Sequence, residues 1–150
     1  PVAIDVDRDG FVDDIGIYRG WNTRWYFSKD CDPNSYILIE SLFGEPGDLP
    51  VTGDFDRDGF VDDTCLYRPS TGMWYYSGWE GTSGPWGLPG DLPIAGDFDD
   101  DGFLDDVGVY RPSTGMWSYD YSHDGDTDAT SGPWGWPGDQ PIAGDFETGM

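Results

Sequence analysis

Three stretches of this chain crowd carboxylates at one fixed spacing: Asp5–Asp14, Asp54–Asp63 and Asp97–Asp106, each reading D-x-D-x-D-G-x-x-D. In a tightly turning backbone, positions one, three and five aim carboxylates at one point. A glycine at six permits the turn, position seven offers a carbonyl and position nine a further carboxylate. The predicted ligands are Asp5, Asp7, Asp9, the Phe11 carbonyl and Asp13 in the first copy. They are Asp54, Asp56, Asp58, the Phe60 carbonyl and Asp62 in the second, and Asp97, Asp99, Asp101, the Phe103 carbonyl and Asp105 in the third. Such a hard, all-oxygen set points to Ca²⁺. Zinc or copper would ask for His or Cys, and the one His and two Cys lie outside the loops. Magnesium keeps several waters and few carboxylates. The EF-hand reading fails at position twelve, which is Cys65 in the middle copy, and no amphipathic helices flank the loop. A solvated acidic turn is the plainer alternative; three copies with identical spacing argue against it. A fourth start, Asp145-Phe146-Glu147-Thr148-Gly149, lacks the third carboxylate and is not counted as a metal site.

The elements around the loops repeat as well. Pro50-Val51-Thr52-Gly53-Asp54-Phe55 returns as Pro93 to Phe98 and Pro141 to Phe146, and Pro1 to Val6 is the same segment with Ile4 for Gly. Tyr67-Arg68-Pro69-Ser70-Thr71-Gly72-Met73-Trp74 returns as Tyr110 to Trp117 and more loosely as Tyr18 to Trp25. Gly84 to Asp91 matches Gly132 to Asp139, with Phe43 to Asp48 as the first copy. These fix repeats at 1–49, 50–92 and 93–140, and the first strand of a fourth at 141–150. Helical periodicity is absent. Within the middle repeat, Leu49 to Phe55 is predicted as a strand before the acidic loop, and Asp63 to Tyr67 as an alternating second strand. Met73 to Tyr76 follows as the third, and Trp86 with its neighbours as the fourth. About four short antiparallel strands per repeat is an all-β, propeller-type pattern, with the acidic loops between first and second strands.

The loops, the Phe43-Gly44 and Trp86-Gly87 pairs before them, and Pro69 and Pro112 after them resemble the FG-GAP or VCBS-type repeat, the calcium-loop blade also used in integrin α-chains. The resemblance covers nearly the whole chain. It implies a β-propeller with Ca²⁺ as the bound cation in each loop. It departs at Tyr18-Arg19-Gly20, where the proline is lost, and nothing matches a partner-binding loop of integrins.

The net charge is −23, from 30 acidic and 7 basic residues. Self-repulsion of this size loosens a compact state unless cations offset it. It also disfavours nucleic acid and anionic membranes as partners. Lys29 is the only lysine, which fits a halophile's surface too. Trp25, Trp74 and Trp117 are expected to pack between repeats, while Trp79 and Trp136 fall outside the shared pattern and are candidates for an exposed sugar-binding surface. Cys31 and Cys65 allow either one disulfide or a buried free Cys65. Arg19, Arg68 and Arg111 occupy equivalent positions and are each expected to pair with a carboxylate such as Asp48, Asp91 or Asp139. Insertions at Lys29–Ser35 and Ser122–Asp128 follow the third strands and should share one edge. Asp124 to Asp128 is a candidate for an extra cation.

No signal peptide or apolar span is visible, and a mature secreted fragment fits. The expected function is a non-catalytic, calcium-stabilised extracellular module for adhesion or scaffolding, with a carbohydrate-binding propeller as the alternative. His123, the only histidine, lacks a repeated Ser or Cys partner, so catalysis is not expected. Three repeats fall short of the usual four to eight blades. The chain reads as part of a longer propeller, as half of a ring of two copies, or as the subunit of an open filament.

Overall fold

A computed structural model describes residues 1–32, 34–39, 44–77 and 81–144. The chain is all-β. Its strands are β1 (Val2–Ile4), β2 (Asp14–Arg19), β3 (Arg24–Ser28), β4 (Tyr36–Ile39), β5 (Leu49–Gly53), β6 (Asp63–Arg68), β7 (Met73–Tyr76), β8 (Thr82–Ser83), β9 (Leu92–Gly96), β10 (Asp106–Arg111), β11 (Met116–Asp120) and β12 (Ala129–Ser131). One 3₁₀ turn, Lys29–Cys31, interrupts them. The strands form three four-stranded antiparallel sheets in sequence order: β1 to β4, β5 to β8 and β9 to β12. Among the described residues these sheets close no barrel or ring. Each sheet is one repeat. The second and third open at Leu49 and Leu92, one residue before the expected boundaries. The start of the fourth loop, from Asp145 on, lies outside the described residues, as do Phe43 and Trp79.

Side chains of β6 and of β10 dock on the preceding sheet. Leu66 of β6 joins Ile4, Trp25 and Phe27 of the first sheet in one cluster. Val107 and Val109 of β10 join Val51, Cys65, Trp74, Tyr76 and Trp86 of the second. Burying each of these side chains stabilises the stack by roughly 1.5–3 kcal/mol. The three expected inter-repeat tryptophans, Trp25, Trp74 and Trp117, are all buried.

This docking overturns the alternating pattern expected for Asp63–Tyr67. Every residue from Asp63 to Tyr67 is buried because sheets cover both faces of the second sheet. Asp106 to Tyr110 are buried too, with the second sheet over Val107 and Val109 and the third sheet's own Ile94 and Trp117 against Gly108 and Tyr110. Only β2 alternates at its start, with Ile15 and Ile17 exposed. The fourth strand is also displaced from its predicted place at Trp86. In the second sheet it is Thr82–Ser83, paired with Trp74 and Tyr75. It ends there because Gly84 turns into the left-handed region (φ 101°) and Pro85 has no N–H to donate.

No disulfide forms. Cys31 is exposed and its thiol donates to the Asp13 carbonyl at 3.1 Å, while Cys65 is fully buried, its thiol pushed well up by burial. Cys65 stands where the other sheets have Gly16 and Gly108, and packing explains the difference. A Cβ at Gly108 would meet Ile94 Cδ1 at 3.0 Å, and one at Gly16 would meet Val2 and Phe27 at 2.7 and 2.8 Å. Against the third sheet the difference lies across the ladder, where Cys65 faces the smaller Val51 and Gly108 faces Ile94. Gly16 faces a valine as well, Val2, and there Val2 and Phe27 together fill the space.

Candidate metal centre

Each acidic loop joins the first strand of a sheet to its second, so the sheet fixes both ends. The turn is held by its own first aspartate. Asp54 accepts from the N–H groups of Asp58 (2.9 Å) and Gly59 (3.0 Å), Asp5 from Asp9 and Gly10, and Asp97 from Asp101 and Gly102. The tenth residue ties the entry: Asp63 accepts from Asp56 N–H at 3.0 Å, Asp106 from Phe98 N–H at 2.6 Å and Asp14 from Val6 N–H at 2.7 Å. Two left-handed residues complete each turn. Glycine six lies at φ 94–96° in open space, so conformation alone demands glycine there. Position four, Arg8, Arg57 or Asp100, lies at φ 59–63° despite its side chain.

The first three ligand positions converge in all copies. One carboxylate oxygen each from Asp5, Asp7 and Asp9, from Asp54, Asp56 and Asp58, and from Asp97, Asp99 and Asp101 lies within 4.8 Å of its fellows. Oxygens that share a calcium at 2.3–2.6 Å stand no more than roughly 5 Å apart, so each triad fits that ion. The ninth-position aspartates are not in these triads. Asp13 instead groups with Asp9 and Asp30. Asp62 and Asp105 each keep one buried oxygen, Oδ1, without a hydrogen-bond partner. A buried orphan carboxylate oxygen is costly, and a cation at the loop would satisfy it. Phe11 is exposed, and Phe60 and Phe103 lie under arginines; their N–H groups bond Asp9, Asp58 and Asp101.

Those arginines join one loop to the next, a role the sequence pattern alone did not assign. Arg8 of the first loop reaches the second, where it pairs with Asp62 (2.6 Å) and Asp58 (3.0 Å). Arg57 of the second loop pairs likewise with Asp105 (2.8 Å) and Asp101 (3.1 Å) of the third. Backbone bonds run alongside: Asp5 N–H donates to Val61 O and Asp54 N–H to Leu104 O. Successive loops are therefore linked by an arginine and a backbone hydrogen bond. The signal was present in the sequence, as two of only 7 basic residues at loop position four. In the first loop Lys29 pairs with Asp7 at 2.5 Å and holds its carboxyl below the usual range.

Burial pushes the carboxyls of Asp63 and Asp106 up to about 6, and that of Asp54 upward. The hydrogen bonds that Arg8 and Arg57 donate to Asp62 and Asp105 raise the pKa of each guanidinium further.

Both insertions do lean on the loops of their own sheets. Asp30 N–H donates to Asp14, and His123 Nε2 donates to the Asp105 carbonyl at 2.6 Å. The His123 ring packs on Phe55 and Tyr76 of the second sheet. The extra cation site expected at Asp124–Asp128 is not assembled among the described residues. Its carboxylates serve backbone turns, with Asp124 accepting from Asp126 N–H and Asp128 from Tyr121 and Ser122 N–H.

Away from the loops, the arginine pairing occurs in two of three places, shifted by one repeat. Arg68 grips Asp48 with both Nε and Nη2 (2.8 and 2.9 Å), and Arg111 grips Asp91 the same way (2.8 and 2.7 Å). Each arginine thus takes the aspartate of the preceding repeat. Arg19 rests over the Tyr26 ring, 4.2 Å from its centroid; Asp139 is exposed and meets no arginine among the described residues. Trp136 is exposed at 78%. In comparisons with known proteins the chain matches no family model, no curated protein and no solved structure.

Proposed function

We propose that this chain is a non-catalytic, calcium-stabilised repeat module of the FG-GAP or VCBS type, working outside the cell in adhesion or scaffolding, its sheets acting as propeller blades. The observation that carries this reading is the threefold recurrence of three convergent carboxylates within 4.8 Å. The buried orphan oxygens of Asp62 and Asp105 support it. The stacking of successive sheets through their second strands supports the blade arrangement. Extracellular Ca²⁺ is abundant enough to fill modest sites of this kind. His123 supports the non-catalytic reading, since its ring is packed and its Nε2 is spent on a loop carbonyl.

The test is Asp54→Asn with Asp58→Asn. Calcium should raise the melting temperature of the parent strongly and that of the variant less, because the second of three stapled loops is lost. An equal calcium-induced rise in both proteins would refute the reading. A second reading, a carbohydrate-binding propeller, is favoured by Trp134 and Trp136, both exposed by more than 70% near Asp139. Binding on a glycan array in calcium, lost in Trp136→Ala, would establish it; silence would remove it.

A further inference from the structure

The two end faces of the stack are unlike each other and complementary. The first sheet presents Ile15 and Ile17, 48% and 47% exposed. Their counterparts in the third sheet, Val107 and Val109, are 0% and 2% exposed because they are seated in the second sheet. The third sheet presents the opposite surface: an apolar cleft of about 430 Å³ lined by Ile94, Trp117, Tyr119 and Trp134. Trp134 is 74% exposed, whereas its counterpart Trp86 is 7% exposed under the third repeat, where its Nε1 donates to Thr127. The polar contacts are left over in the same sense. Arg19 lies over Tyr26 as Arg68 lies over Tyr75, in the pose that grips an aspartate of the preceding repeat. Asp139, its turn already closed by Trp136 N–H, is the equivalent aspartate that meets no arginine among the described residues.

We propose that this face pair is a junction between copies of the chain, the first sheet of one copy seated on the third sheet of another. Ile15 and Ile17 enter the cleft as Val107 and Val109 enter theirs, and Arg19 grips Asp139. Charge and apolar shape agree on the partner, since the covered faces inside the chain use the same residue positions. Pro141–Gly144, which borders the cleft, repeats the sequence pattern of β1 and joins no strand ladder among the described residues, so it gives way to the incoming β1. One contact is missing. Where the internal junctions have Arg8 and Arg57, the third loop has Asp100, facing Asp9 and Asp13 of the incoming copy. The junction between copies is accordingly weaker than those within a copy.

This deepens the scaffolding reading and rests on it for its purpose. Mass by light scattering is measured in calcium, beside circular dichroism in calcium and in chelator. The parent should run as two or more chains. Ile17→Glu and Asp139→Arg should each run as single chains with unchanged spectra. Mixed together they should form a one-to-one dimer, because one keeps the cleft and the other keeps the knob. Arg19→Asp with Asp139→Arg in one chain should restore self-assembly, and Asp100→Arg should shift the parent to larger species at lower concentration. A monomeric parent, or assembly indifferent to Ile17→Glu and Asp139→Arg, would overturn the junction whatever calcium does. A spectrum and melt indifferent to chelator would count against the calcium reading and leave the junction standing.

Discussion

Replacing Arg68 by Ala isolates what holds one repeat to the next. The Arg68 side chain is 13% exposed, and its guanidinium grips Asp48, whose side chain is 1% exposed, through two hydrogen bonds, with Tyr75 beneath it at 4.5 Å. Glu45 adds a third contact but is 66% exposed, so it contributes little. Removing the arginine leaves a buried carboxylate whose one remaining donor among the described residues is the Glu45 N–H. Breaking a buried pair from one side costs about 3 kcal/mol or slightly more. For a chain of this length that lowers the melting temperature by roughly 6–12 °C. Calorimetry in calcium, in an Ile17→Glu background that stays monomeric, provides the assay. Arg19→Ala in the same background is the internal control. It occupies the same place in its repeat but meets no carboxylate among the described residues, so its cost should stay within about 0.5 kcal/mol. A double-mutant cycle with Asp48→Ala should return most of the loss, because the buried charge goes with its partner. A shift for Arg68→Ala no larger than that for Arg19→Ala would refute the view that this pair joins the repeats.

Gly108→Cys should destabilise the third sheet by about 1–3 kcal/mol, since its Cβ meets Ile94 at 3.0 Å. Adding Ile94→Val, which recreates the Val51–Cys65 pairing, should recover most of that in a chemical denaturation curve, and no recovery would contradict the compensation. At high pH the buried tyrosines set the limit. Burial pushes the Tyr67 hydroxyl up to about 12 and Tyr76 higher still, against an ordinary 10. The folded chain thus keeps protons that the unfolded chain releases, so stability is intact below pH 10 and falls as pH rises towards 12. Tyrosinate absorbance and loss of near-ultraviolet circular dichroism should rise together; ionisation of every tyrosine near pH 10 with the fold intact would contradict this. Cys31 should react with a thiol reagent in the native state while Cys65 waits for unfolding.

The acidic loops were legible because their chemistry is local: the spacing that converges Asp54, Asp56 and Asp58 is set by nearest neighbours. The first three strands of each repeat were legible for the same reason. The fourth was misplaced because the aromatic content of Trp86 reflects its burial under the next repeat, through Thr127, rather than membership of a ladder. The unbroken burial of Asp63–Tyr67 was invisible for a related reason, since alternation presumes one wet face and the stack leaves none. Which aspartate Arg68 takes could not be read from spacing either. Asp48 and Asp91 lie at comparable distances along the chain, and only the stacking of sheets selects the earlier one.

Isothermal titration of calcium into chelator-treated protein tests the central claim most directly. The account requires about three ions per chain, one for each convergent triad, with Asp54→Asn plus Asp58→Asn removing one and magnesium failing to replace them. No calcium heat above dilution, or a stoichiometry unmoved by that double substitution, would contradict it.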